Sequence, residues 1–472
     1  MDANGFRLVR RRSDRIYNKH RSEVLFASCD GPLGIFCLLP LELNHAILDH
    51  LAHPDLANLS ATSSTLAGLI REYLISCRHL EALLFPNVHC HEHQTQAGAL
   101  RDQFVSLGNL LRSVTCLMPA KERFRLLTSV LGKLQSVHSL ILKQSGSTAA
   151  YSCFGAMLKQ LVNGWAFNDK RSVFQMIWQE ACLETRCKQI FASTAGSFPF
   201  HEIDIRLLIR NVFLQSTTIL SEVNGKEVCQ MPLDFLCWLT LLLRPWPLVH
   251  QARLLVTLFG PLHPATGTVD WQKLCTTTTN GSCGKQDLAE LAFVVSSLYM
   301  SQSYASSDNE NAPRQLAWVP DQIISIVDEA TALPQGWSLD NMGRLLQLLC
   351  RPLTVNLLQC YAANGRLSEL AHLVLHMAIV CADDDSTGLQ YPPGAEEVHS
   401  NKAELTYFVE VLREVLSIFT QPIRKQFLQQ FYNTWHEHVM DTLHISVDSI
   451  QMNLAVHRMT KMCEVLSQYI FV

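Results

Sequence analysis

The sequence predicts an all-α protein with a small N-terminal helical module followed by a large, irregular helical-repeat-like region. Three observations predict it. Apolar residues recur at three- and four-residue spacing from about residue 39 onward, prolines and small polar clusters punctuate those stripes, and long alternating apolar–polar runs are nearly absent. A chain of 472 residues with 48% hydrophobic content buries a large core and contains more than one folding unit.

The first module centres on Leu39, Pro40, Leu41, Glu42 and Leu43, followed by Ile47, Leu48 and Leu51. Pro40 suits a first helical position, where its missing amide proton costs nothing, and Glu42 places negative charge in the first turn. Leu43, Ile47, Leu48 and Leu51 then share one apolar stripe. Pro54 interrupts it, Asp55 stands beside the next helix start, and Leu56, Leu59 and Leu66 continue at helical spacing. This Leu-Pro-x-Glu start, Ile-Leu-x-x-Leu run and Asp-Leu pair resemble the F-box family. The resemblance implies a three-helix module over residues 32–76 that docks on Skp1, and through it on a cullin-RING ubiquitin ligase. On that likeness the contact or its support falls to Leu39, Pro40, Leu41, Glu42, Leu43, Ile47, Leu48 and Leu51, with Leu56 and Leu59 behind them. Thr62 stands where a valine is common in the family, and Leu66 where many members have tryptophan.

Residues 1–30 precede this module as a basic leader, expected to be flexible; Arg10, Arg11 and Arg12 match a nuclear import signal, a weak phosphate contact or, preferred, a solvated arm. Residues 77–100 read as a polar linker containing His89-Cys90-His91-Glu92-His93, and without a second ligand cluster nearby this stretch is expected as a loop rather than a zinc site. From residue 101 to 472 helix follows helix. Phe104, Leu107, Leu111 and Val114 form one stripe, and Phe124, Leu127, Leu131 and Leu134 form the next after Pro119. A loop is expected at Ser145–Thr148, then apolar segments around Phe154–Leu161 and Val173–Trp178. Gly196 and Pro199 punctuate the chain before Ile205, Leu208, Ile209 and Val212 resume it.

Leu236, Leu239 and Leu243 are expected to pack before the Pro245-Trp246-Pro247 turn, and Leu248, Leu255 and Leu258 after it, with Trp238 and Trp246 as core anchors. This apolar stretch is broken at Arg244 and Pro245, short of the roughly 18–20 continuous apolar residues a membrane span needs. Polar segments at 273–284 and 301–315 mark a candidate division of the helical region. Stripes through Leu288–Leu298, Ile323–Val327, Leu339–Leu349, Leu367–Ala378, Leu405–Phe419 and Phe427–Trp435 continue it, and the stretch beyond Val447 reads as helical too.

The residues expose no chemistry of their own. Lys and Arg number 38 against 42 acidic residues, a net charge of −4, which gives no reason to expect a nucleic-acid or membrane partner. The 16 cysteines are scattered without repeated Cys-x-x-Cys pairs, as expected of reduced thiols, and no apolar signal core follows the first residues, so an intracellular protein of the nucleus or cytoplasm is expected. Gly260, Gly267 and Gly281 form no phosphate loop, and Gly155-Ala156 lacks a nucleophile-elbow context. His263, His436 and His438 pair with no recognisable nucleophile, and Asp383–Asp385 lack calcium-loop spacing. No catalytic residue, metal or cofactor is therefore expected, and no small-molecule partner.

A narrower likeness to one branch of the F-box family extends across most of the chain through Cys116–Arg123, Leu243–Pro247, Gln251–Leu255, Phe259–Pro261, Asn364–Arg366 and Glu369–Ala371. It implies a substrate-recognition subunit of a Skp1–cullin–F-box ligase that recruits an unknown protein through the helical region, in a germ-cell and meiotic setting. Two alternatives stand beside it: a meiotic or chromatin structural adaptor, and an enzyme whose site is assembled only in space.

Overall fold

The computed structural model describes residues 36, 39–75, 96–215, 232–276, 283–306, 314–383, 398–445 and 460. Among them every regular element is a helix, apart from one isolated antiparallel bridge between Leu262 and Val269. It forms two compact units; the first takes the described residues up to Cys182 together with Leu207–Gln215, and the second takes Leu183–Arg206 and the remainder. Residues 273–276, 283–306 and 314–315 lie within the second unit. The basic leader, the histidine-rich stretch at 89–93, Asp384–Asp385 and the apolar stripes from Leu454 to Ile470 lie outside the described residues.

The first unit begins with α1 (Leu41–Leu48), α2 (His53–Thr62) and α3 (Ser64–Ile75). It continues with α4 (Gln96–Thr115), α5 (Ala120–Val162) and α6 (Phe167–Glu180). Pro119 precedes α5 and Glu122 lies in its first turn, as the spacing predicts. The loop expected at Ser145–Thr148 is absent: α5 runs unbroken for 43 residues. A lone Gly146 costs a helix only about 1 kcal/mol relative to alanine, and no proline supports the break. Two glycines let this helix approach its neighbours. A Cβ on Gly108 of α4 would lie 2.4 Å from the Met157 carbonyl oxygen, and one on Gly155 of α5 would lie 1.9 Å from that of Asn211. Asn211 belongs to a π-helical turn, Arg210–Leu214, which ends at Gln215 in the left-handed conformation; the Gln215 amide donates to the Gly155 carbonyl.

The second unit contains α7 (Leu183–Phe191), α8 (Pro199–Ile209, as far as Arg206), α9 (Leu233–Leu243) and α10 (Leu248–Phe259). After α11 (Trp271–Cys275) come α12 (Lys285–Met300), the short α13 (Ser303–Ser306) and α14 (Pro320–Ala332). The chain then runs through α15 (Leu339–Leu348), α16 (Arg351–Ala363), α17 (Leu367–Asp383), α18 (Val398–Ile418) and α19 (Gln421–Ile445). Packing follows two rows: α10, α14, α16 and α18 touch in succession, as do α12, α15, α17 and α19. Such rows are how stacked helical pairs bury apolar faces that no single pair can hide. Gly343 of α15 sits where a Cβ would be 2.8 Å from the backbone of His376 and Met377 on α17, so the second row is closely packed there.

One buried charge ties the start of this unit together. Glu202 on α8 is 0% exposed and accepts from Arg253 (3.2 Å), the Trp271 indole (2.8 Å) and the Gly196 amide (3.1 Å). Arg253 also donates to the carbonyls of Ser193 and Thr194, while Arg206 donates to those of Thr257 and Gly260 (3.0 and 2.9 Å) and so closes the C-terminal end of α10. Trp238 is core, as expected, and Trp246 is half-buried with its edge on Phe191 (4.9 Å). Leu248, expected to pack inward, is exposed because it opens α10 immediately after the proline turn.

His436 and His438 face differently, as their spacing predicts: His436 is exposed, whereas His438 meets His376 at 5.6 Å between ring centroids. His376 in turn contacts the Asp340 carboxylate at 2.7 Å. Burial lowers the His438 pKa below the ordinary value of 6.5, the charge of His376 works the same way, and Asp340 and Asp441 oppose them. His250, stacked on Phe191, is lowered by burial and then by Arg253. The unfolded chain therefore takes up these protons at higher pH than the folded one. Stability from the neutral rings is fully present above about 6.5 and lost as pH falls from there through the lower folded values. The denaturation midpoint of the second unit is expected to stay level above neutrality and decline below that point, with His438→Gln removing part of the decline. A midpoint that rises on acidification would contradict this.

Candidate functional site: an apolar docking face on the first helix

The first three helices divide the predicted residues into a surface and a support. Pro40, Leu41, Glu42, Leu43 and Ile47 are exposed; Leu41 is 46% accessible, Leu43 52% and Ile47 39%. Leu43 and Ile47 stand one turn apart on α1 and so lie on one face. Leu48 and Leu56 are fully buried, as are Ile70 and Leu74 of α3, while Leu39, Leu51 and Leu59 are half-buried. An apolar group of this size on the surface of a short helix is a candidate interaction surface.

Polar contacts fix α1 in place. The Asn44 amide, buried on the inner side, donates to the carbonyls of Phe36 (3.1 Å) and Leu39 (3.3 Å), holding the chain that enters the helix. Tyr73 of α3 is buried, donates its hydroxyl to Asp49 (2.9 Å) just beyond α1, and meets the His45 ring edge-on at 5.5 Å. Burial, then the hydrogen bond and charge of Asp49, push the Tyr73 phenol well above its usual range, so it remains a donor. Asn44 and Tyr73 were not recognisable as positioning residues from the sequence. A single asparagine in an apolar stripe looks like a surface position until the turn it closes is known.

The two departures from the F-box pattern are accommodated locally. Thr62 is exposed at the end of α2, where its hydroxyl donates to the Leu59 carbonyl (2.7 Å). Leu66 is buried and leaves α3 seated. The module also packs directly on the following hairpin: α2 lies against α4, where the hydroxyls of Ser60 and Ser113 are 3.1 Å apart and Ser113 donates to the Ala57 carbonyl (3.2 Å).

Among the described residues, no group of three or more His, Cys, Asp or Glu side chains is placed to hold a metal, and no helix is long and apolar enough to cross a membrane. The described cysteines are free thiols; burial pushes Cys153 up to about 11 and Cys187 and Cys283 up to about 12, far from the range of a reactive thiolate.

A three-helix head with an exposed apolar helix, in a chain whose second unit stacks helices in two rows, defines the class as an all-α protein with a helical-repeat region. Comparison with known proteins narrows this. The family described as FBXO47, ARM repeats, matches residues 180–468. Human F-box only protein 47 is 30% identical over 418 residues, covering 87% of this chain and 81% of the human protein. Mouse F-box only protein 47 is 30% identical over 443 residues, covering 91% of this chain and 87% of the mouse protein. The chain belongs to the F-box only protein 47 family. No solved structure matches it.

Proposed function

We propose that this protein is a non-catalytic substrate-recognition subunit of a Skp1–cullin–F-box ubiquitin ligase, working in the nucleus or cytoplasm. Leu41, Leu43 and Ile47 dock on Skp1, Leu48 and Leu56 hold that surface from behind, and the helical-repeat unit receives the protein to be modified. The exposed apolar face of α1 is the observation that carries the reading. A ligase of this kind gains rate from proximity, holding a target beside ubiquitin chemistry performed by other subunits, so it needs no active site in this chain.

The test replaces Leu43 and Ile47 together with aspartate. Both side chains are exposed, so the head is expected to keep its helical signal, whereas Leu48→Asp would bury a charge in its core. Each aspartate brought into an apolar interface leaves an unpaired, desolvated carboxylate, and together they are expected to weaken Skp1 capture by about a hundred-fold or more. Ubiquitination of co-purifying proteins should fall in parallel. Unchanged Skp1 capture by the folded double variant rejects the docking assignment, and retained partners with unchanged turnover identify a structural adaptor instead.

A further inference from the structure

The second unit contains a cleft of about 570 Å³ where α14, α15, the end of α16 and the start of α17 meet. Ala332, Leu339 and Met342 supply apolar surface, and Asp328, Glu329, Glu369 and Arg366 supply charge. Three carboxylates face a single guanidinium, which leaves two negative charges uncompensated.

The hydrogen-bond inventory sharpens that asymmetry. Arg366 is committed within the wall: its Nε donates to Glu369 at 2.9 Å, a second nitrogen bonds the other Glu369 oxygen, a third lies 3.7 Å from Asp328, and the guanidinium stacks 4.3 Å from the centre of the Tyr361 ring. The Tyr361 hydroxyl donates a hydrogen bond to Asp328 (2.9 Å). His372 places Nδ1 2.7 Å from the Ser368 carbonyl, so in the neutral ring Nδ1 carries the proton and Nε2 is left as an acceptor. Arg366 is thus held chiefly by Glu369, and Tyr361 by Asp328. Glu329, by contrast, has no ion pair or hydrogen bond among the described residues, although it lines the cleft. An anionic ligand would meet an excess of carboxylate in this wall.

We propose that this cleft binds a protein segment through a lysine or arginine side chain, with the aliphatic stem along Ala332, Leu339 and Met342 and the cationic head against Glu329 and Asp328. Long basic side chains combine an apolar stem with a charged end, and the cleft offers matching surfaces to both. The inference rests on the reading of this chain as a substrate receptor and names the chemistry by which a substrate is chosen.

The test uses the full chain and its Glu329→Gln variant, which is expected to fold normally because Glu329 has no partner to lose. A phage library of random dodecapeptides is selected on the wild-type protein. Recovered peptides are expected to carry lysine or arginine next to an apolar residue. The tightest of them should bind Glu329→Gln about ten-fold more weakly and lose affinity as salt is raised. Adding Asp328→Asn should weaken it further. Failure to recover basic peptides, or equal binding by the Gln variant, overturns the proposal. Skp1 capture is measured on the same preparations. Basic-peptide binding without Skp1 capture overturns the ligase reading alone, and Skp1 capture without basic-peptide selection overturns the cleft alone.

Discussion

Glu202→Ala is expected to cost the second unit roughly 3–5 kcal/mol, because it strips a buried cation of its counter-charge. Arg253 is then left in the interior with only two backbone carbonyls, and the Trp271 indole and Gly196 amide lose their acceptor. Burial already lowers the Arg253 pKa, although the hydrogen bond and charge of Glu202 pull the other way, so the pair is held against a substantial desolvation cost. The double variant Glu202→Ala, Arg253→Met removes the charge along with its partner. It is expected to lose less than the sum of the two single variants, a coupling that a double-mutant cycle reads directly. Hydrogen exchange across α8, α10 and α11 supplies the measurement. Additive losses would mean that the ion pair holds nothing beyond its individual hydrogen bonds.

Gly155→Ala is the second large effect expected, in the first unit. The new methyl group would lie 1.9 Å from the Asn211 carbonyl oxygen and 2.9 Å from its carbon, and both are backbone atoms that no rotamer change can move aside. Overpacking in a well-filled core costs about 1–3 kcal/mol, and a clash with backbone belongs at or above the top of that range. Gly68→Ala is the matched control: a Cβ there meets nothing within 4 Å, and alanine in the interior of α3 is expected to add up to about 1 kcal/mol of stability. Opposite shifts in melting temperature would support the close approach of α5 to the π-helical turn. A neutral Gly155→Ala would refute it.

Periodicity made the helices legible from sequence because each buried face repeats every three or four residues, whatever its partner. It made the proposed docking residues legible as a stripe but not as a surface. Leu43, Ile47 and Leu48 share that stripe, and only the packing of α3 decides that Leu48 turns inward while the other two remain outside. Glu202 was not visible for a related reason. Its side-chain partners lie 51 and 69 residues away, and no local pattern marks a carboxylate as buried. The cleft was hidden likewise, since its walls come from four helices. The unbroken α5 shows the converse limit, in which local punctuation suggested a loop that helix continuity overrode.

The seating of α2 on α4 has a consequence for how the cell audits this protein. The head is part of the first unit's core rather than a tag attached to it, so a chain in which α1–α3 fail to form leaves part of the apolar side of α4 uncovered. Exposed apolar surface is what chaperones and proteases recognise. Molecules whose head fails to fold are therefore also those marked for removal, and the pool that survives is enriched in chains with α1 and its apolar face formed.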